Sequence, residues 1–136
     1  MYDILILTHG PLAQAYKKTL QMFTSNMQGV YALGLDETGV ESFRLELKGV
    51  LKNIASDKEV LVLCDLFGGS PFNIATQELE ALSHKVEIVA GVNLPLLVEA
   101  SIYRENCLQE IIEQLKNSAK QSIMQISDVN ISEEDE

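Results

Sequence analysis

Residues 60–71 read Val-Leu-Val-Leu-Cys-Asp-Leu-Phe-Gly-Gly-Ser-Pro. The first four form a continuous apolar, β-compatible run, the pattern of a strand covered on both faces, and Cys64 closes it as a small buried hydrophobe. Gly68-Gly69 then punctuates. Ser70 is predicted as the N-cap of a helix and Pro71 as its first residue. A strand running through a glycine turn into a helix is half of a βαβ unit, and repetition of that unit builds a mainly parallel sheet.

The same alternation extends in both directions. Upstream, Ile4-Leu5-Ile6-Leu7 reads as a strand, Gly10-Pro11 as a break, and Leu12, Tyr16, Leu20 and Phe23 as a helical stripe. Val30 to Leu33 is a second strand. Thr38 and Glu41 have capping-box spacing ahead of a helix with apolar face Val40, Phe43, Leu47, Leu51 and Ile54. Downstream, a helix is expected to about Leu82, a fourth strand over Val86 to Val89, and a turn at Gly91 and Asn93. Helices follow from Pro95 and through Leu108, Ile111, Ile112 and Leu115. The segment Ile123 to Ile131 reads as extended and is expected to form a late edge strand. The expected fold is a doubly wound α/β domain over residues 1–132, with a mainly parallel sheet of strand order 2-1-3-4, a late edge strand and helices on both faces. Residues 133–136 are expected to be a disordered acidic tail.

Composition narrows the function. Of 136 residues, 46% are hydrophobic and 22% charged, ordinary for one globular domain that needs no disulfide or metal to fold. Four of the twenty acids close the chain, and the other sixteen still outnumber the ten bases. Such a surface argues against nucleic acid and anionic lipid and suits a basic protein partner. Cys64 and Cys107 are far apart and form no zinc or redox motif. Met1-Tyr2-Asp3 lacks the basic start of a signal peptide, and the apolar stretch Ile88 to Val98 is too short to span a bilayer. A cytoplasmic protein without membrane insertion is expected.

Ligands of open α/β sheets bind beyond the carboxyl ends of the strands, where the strand order reverses. With order 2-1-3-4, strands one and three flank that point. The loops Thr8-His9-Gly10-Pro11 and Asp65 to Pro71 then meet there. If Asp65 accepts a proton from one imidazole nitrogen of His9, the other nitrogen is free as a nucleophile. Gly68, Gly69 and Ser70 precede a helix N-terminus, whose amides and dipole favour an anion such as phosphate. Taken singly, each feature has an ordinary structural explanation: a loop histidine, a turn-capping aspartate, a helix start. Their convergence at one crevice favours chemistry. His84, at the opposite end of the sheet by the same logic, reads as a solvated loop residue. Asn93 reads as the cap of the following helix.

Three blocks in chain order resemble the IIA domain of mannose-type bacterial sugar phosphotransferase systems. They are Thr-His-Gly at 8–10 with Leu-Ala-Gln-Ala at 12–15, Cys-Asp-Leu-Phe-Gly-Gly-Ser-Pro-Phe-Asn at 64–73, and Gly-Val-Asn-Leu-Pro-Leu-Leu at 91–97. The resemblance implies a carrier that accepts phosphate from HPr on His9 Nε2 and passes it to a IIB subunit. Asp65 would be the carboxylate partner, and Gly68, Gly69 and Ser70 the phosphate loop. It further implies that the late edge strand is antiparallel and is exchanged between the subunits of a homodimer, for which Ile123–Ile131 is the candidate. A fused IIB domain is not expected, so IIB would be a separate chain. No metal or cofactor is expected.

Two other classes compete. A receiver-like domain phosphorylated on Asp65 would need an acidic cluster after strand one to hold magnesium, where this chain has Thr8-His9-Gly10. A nucleotide-binding module would need a P-loop ending or a Gly-x-Gly-x-x-Gly turn, and neither is present.

Overall fold

The computed structural model describes residues 1–80 and 85–129. Four strands, β1 (Asp3–His9), β2 (Val30–Leu35), β3 (Glu59–Cys64) and β4 (Lys85–Ala90), form one parallel sheet in the order β2-β1-β3-β4. Between and after them run α1 (Leu12–Leu20), α2 (Val40–Leu51), α3 (Ser70–Glu80), α4 (Leu94–Ile102) and α5 (Leu108–Gln121). The doubly wound sheet and its strand order are those expected.

The continuous apolar runs are explained by the two cores. On one face, Ile4, Ile6, Leu61 and Leu63 pack with Ala13 and Leu20 of α1, Leu96 and Leu97 of α4, and Ile111 and Leu115 of α5. On the other, Leu5, Leu7, Val60, Val62 and Cys64 pack with Phe43 and Leu47 of α2 and Ile74 and Leu79 of α3. Side chains alternate across the sheet with period two, so a strand covered on both faces has no polar position to spare. Truncating one such leucine to alanine costs about 2–5 kcal/mol.

Three expectations about local structure are corrected. The late antiparallel edge strand is absent over Ile123–Val129. There the amides of Asp128 and Val129 donate to the carbonyls of Gln125 and Ile126, closing a 3₁₀ turn over Ile126–Asp128. The Asp128 carboxylate accepts from the Gln125 amide at 2.8 Å. Backbone groups satisfied locally cannot also pair with a strand, and the irregular spacing of Met124, Ile126 and Val129 offers no single face to bury. Asn130 and Ile131, the tail and His84 lie outside the described residues.

Thr38 does not cap α2. Its amide donates to Asp36 Oδ1 at 2.9 Å and its hydroxyl bonds the same oxygen, an Asx turn, while Gly39 is the residue ahead of the helix. Ser70 is likewise the first residue of α3 rather than its cap, because the Gly69 carbonyl already accepts from the Asn73 amide at 2.9 Å. Asn93 caps α4 as expected, accepting from the Leu96 amide at 3.0 Å with Pro95 in the first turn. No described helix is long and apolar enough to cross a membrane.

Candidate active site

The central strands β1 and β3 are neighbours, in register Leu7 to Cys64. One step beyond that register, Asp65 reaches the end of β1. Its Oδ2 accepts from the His9 backbone amide at 3.0 Å and lies 3.0 Å from His9 Nδ1. Its Oδ1 accepts from the Leu66 amide at 3.0 Å. The carboxylate thus grips both the backbone and the ring of His9, and a carboxylate that accepts a proton from Nδ1 leaves the Nε2 lone pair free. Burial pushes the Asp65 carboxyl up, but the hydrogen bonds from the His9 amide and ring and the Leu66 amide outweigh it. The net effect holds its pKa below the ordinary carboxylate value. The His9 side chain remains 43% exposed against 13% for Asp65, so the ring is held from behind and open in front.

The glycine loop closes the other side of the ring. Gly68 has φ +78°, the left-handed region in which a Cβ is strained. Gly69 lies against the imidazole: a Cβ there would stand 2.9 Å from His9 Cε1 and 3.5 Å from Nε2. The structure therefore brings together His9, Asp65 and Gly69, with Gly68 and Ser70 on either side of the last. One expectation changes in detail. The Gly69 amide donates to the Leu66 carbonyl at 3.3 Å, whereas those of Gly68 and Ser70 have no acceptor among the described residues.

Several residues that shape the site were not singled out from sequence. Thr8 is fully buried, and its Oγ1 accepts from the Ala13 amide at 2.7 Å while bonding the His9 carbonyl at 3.2 Å. That ties the end of β1 to the start of α1, doing a cap's work where Pro11 has none to offer. Asn73 anchors the glycine loop by donating Nδ2 to the Gly68 carbonyl at 3.0 Å. Gly34 leaves room for the Gly10 carbonyl, which a Cβ would overlap. A glycine inside a strand is the signal that could have found it, since it often marks close backbone approach. Tyr16 donates to the Val92 carbonyl at 3.3 Å, linking α1 to the loop after β4. The Val92 amide in turn donates to the Cys64 carbonyl at 3.0 Å. Directly after Asp65 in the chain, Leu66 and Phe67 are exposed, and the Phe67 ring packs on Phe72 with centroids 4.9 Å apart.

Comparison with known proteins identifies the family. A family model described as PTS system fructose IIA component matches residues 3–126. The fructose-specific EIIA component of Bacillus subtilis is 31% identical over 130 residues, covering 94% of this chain and 88% of the relative. The mannose-specific EIIAB component of Escherichia coli K12 is 35% identical over 108 residues, 76% of this chain but 32% of that longer relative. The crystal structure of phosphotransferase system component EIIA from Streptococcus agalactiae superposes with a TM-score of 0.84 at 25% identity, covering 95% of this chain and 100% of that one.

Proposed function

The chain belongs to the family of PTS fructose-type IIA components, and from that premise we propose that it carries a phosphoryl group on His9 Nε2, taken from HPr and passed to a IIB subunit in sugar uptake. The observation that carries this reading is the 3.0 Å approach of His9 Nδ1 to Asp65 Oδ2 at the carboxyl edge of the sheet.

With Nδ1–H donated to Asp65, the Nε2 lone pair attacks the phosphorus of a phosphohistidine on HPr. The new N–P bond forms as the donor's N–P bond breaks, and that electron pair stays on the donor nitrogen. No proton has to cross. The His9 ring gains positive charge, which the Asp65 carboxylate opposes at contact distance. The amides of Gly68 and Ser70 and the Ser70 hydroxyl are offered to the phosphoryl oxygens. Transfer to IIB is the same step reversed. Positioning and electrostatics supply the catalysis, as in other phosphoryl transfers. Exposed Leu66 and Phe67, directly after Asp65 in the chain, give the partner an apolar seat.

The same reading puts the chain in the cytoplasm and gives it a second copy as partner. Ile123, Met124 and Ile126 are mostly exposed, apolar surface that a homodimer would cover. Sedimentation as a monomer at micromolar concentration would remove that part of the reading.

The decisive experiment is incubation with enzyme I, HPr and phosphoenolpyruvate, followed by mass spectrometry. An acid-labile phosphate on His9 is expected. A phosphate on Asp65, or none, would overturn the proposal.

A further inference from the structure

Gly68 and Gly69 are adjacent, yet the chain needs them for different reasons. Gly68 takes φ +78°, and a Cβ built on it meets nothing within 4 Å. Its requirement is conformational. Gly69 is not among the residues with positive φ, so its backbone would accept alanine without strain. Space is the constraint instead: a Cβ at 69 falls 2.9 Å from His9 Cε1, closer than real Cβ atoms approach, so the ring would have to move, while Leu66 Cβ is at an ordinary 3.5 Å. Nor is the Gly69 amide free for a ligand, since it donates to the Leu66 carbonyl.

We infer that Gly69 is a positioning residue whose missing side chain lets the His9 ring lie flat between loop and carboxylate, with Nδ1 on Asp65 and Nε2 facing the incoming phosphoryl group. His9 is half exposed, and two contacts bear on its rotamer: the hydrogen bond to Asp65 and the bare edge of Gly69. A methyl group at 69 turns the ring outward, toward solvent, and breaks the hydrogen bond that fixes the tautomer. The part of this inference that concerns rate rests on the phosphocarrier reading; the part that concerns the ring does not.

The test compares Gly69→Ala with the parent protein by ¹⁵N NMR of the imidazole and by phosphoryl uptake from phosphorylated HPr. In the parent, neutral His9 is expected as the Nδ1–H tautomer that Asp65 selects. In Gly69→Ala the mixture should shift toward Nε2–H, the ring's usual preference in water, and uptake should slow by about 100-fold, the scale of a one-ångström misplacement. His9→Ala/Gly69→Ala supplies the structural control. With the ring gone the methyl group keeps only the ordinary contact with Leu66 Cβ, so the melting temperature of the double variant should be close to that of His9→Ala. An unchanged tautomer in folded Gly69→Ala would overturn the inference, as would equal destabilisation by Gly69→Ala with and without the ring. If the parent itself takes up no phosphate, the phosphocarrier reading fails, and the tautomer comparison still decides the role of Gly69.

Discussion

Strand β1 carries an acid–base pair at each end, and the two are built oppositely. At its start, Asp3 and Arg104 are 5% and 4% exposed. Arg104 Nη2 stands 3.6 Å from Asp3 Oδ1, Nε donates to the Tyr2 carbonyl at 3.0 Å, and Nη1 donates to the Gln28 carbonyl at 2.7 Å. Lys58 Nζ adds a second cation 3.7 Å from the same Asp3 oxygen. At the end of β1, His9 meets Asp65 with its ring open to solvent. An arginine keeps its charge at any pH in use, so the buried pair is a fixed staple joining the N-terminus to the turn after α4. An imidazole has a lone pair to offer when neutral, so the exposed pair can do chemistry. One strand thus anchors the fold at one end and, on the proposed function, would present a nucleophile at the other.

The largest expected break in that contrast is His9→Ala. It should abolish phosphoryl uptake while leaving the thermal transition nearly where it was, because a half-exposed rim side chain supports little packing. Residual uptake above a few per cent, measured with labelled phosphoenolpyruvate, would move the nucleophile elsewhere.

Next comes Arg104→Ala, the mirror experiment. Among the described residues, removing the guanidinium leaves the Asp3 carboxylate with Lys58 as its one ion partner and takes the donor from the carbonyls of Tyr2 and Gln28. Denaturant unfolding should show a loss of about 3–5 kcal/mol, the cost of breaking a buried pair from one side. The fraction still folded should transfer phosphate at the parent rate. A loss below about 1 kcal/mol would reduce this pair to a surface contact.

Asp65→Ala should have an intermediate effect, with folding retained and transfer slowed about 10–1,000-fold, the range of proton-positioning effects. Unchanged single-turnover kinetics would show that the carboxylate does not orient the ring.

The smallest effect is on the acid limb of stability. Because its partners hold the folded-state pKa of Asp65 below the ordinary value, its contribution is full above the unfolded-state pKa of about 3.9 and is lost as pH falls through the lower folded value. Melting curves of Asp65→Asn should therefore lie closer to the parent below that window than above it. A constant offset across pH would mean that the carboxylate's charge adds nothing to folding.

Much of this is legible in the amino-acid sequence. The runs Ile4–Leu7 and Val60–Leu63 announce central strands because burial on both faces removes polar residues from both phases of a period-two pattern. The order of strands and helices follows from their alternation. His9 and Asp65 could be paired by fold logic once strands one and three were neighbours. Local hydrogen bonding was harder to read. Thr38 looks like a cap, yet its hydroxyl is committed to Asp36, and Ile126–Asp128 looks extended, yet its backbone closes on itself. Propensity ranks what a residue can bond, and competing neighbours decide what it does bond. The role of Thr8 is not visible in the sequence, because nothing in one dimension shows that its hydroxyl meets the Ala13 amide five residues on.

By itself the amino-acid order settles which segments are apolar on both faces, where glycine and proline interrupt them, and which residues bring a nucleophile, a carboxylate and small-residue turns. Those are properties of residue type and short spacing. Distances across the sheet are different in kind. His9 and Asp65 are 56 positions apart and touch because ladder pairing places β1 beside β3 in one register, and a single-residue slip would turn each side chain to the other face. The separate duties of Gly68 and Gly69 likewise emerge only when the ring of His9 is laid beside the loop, since a missing methyl group has meaning only against the atom it would strike.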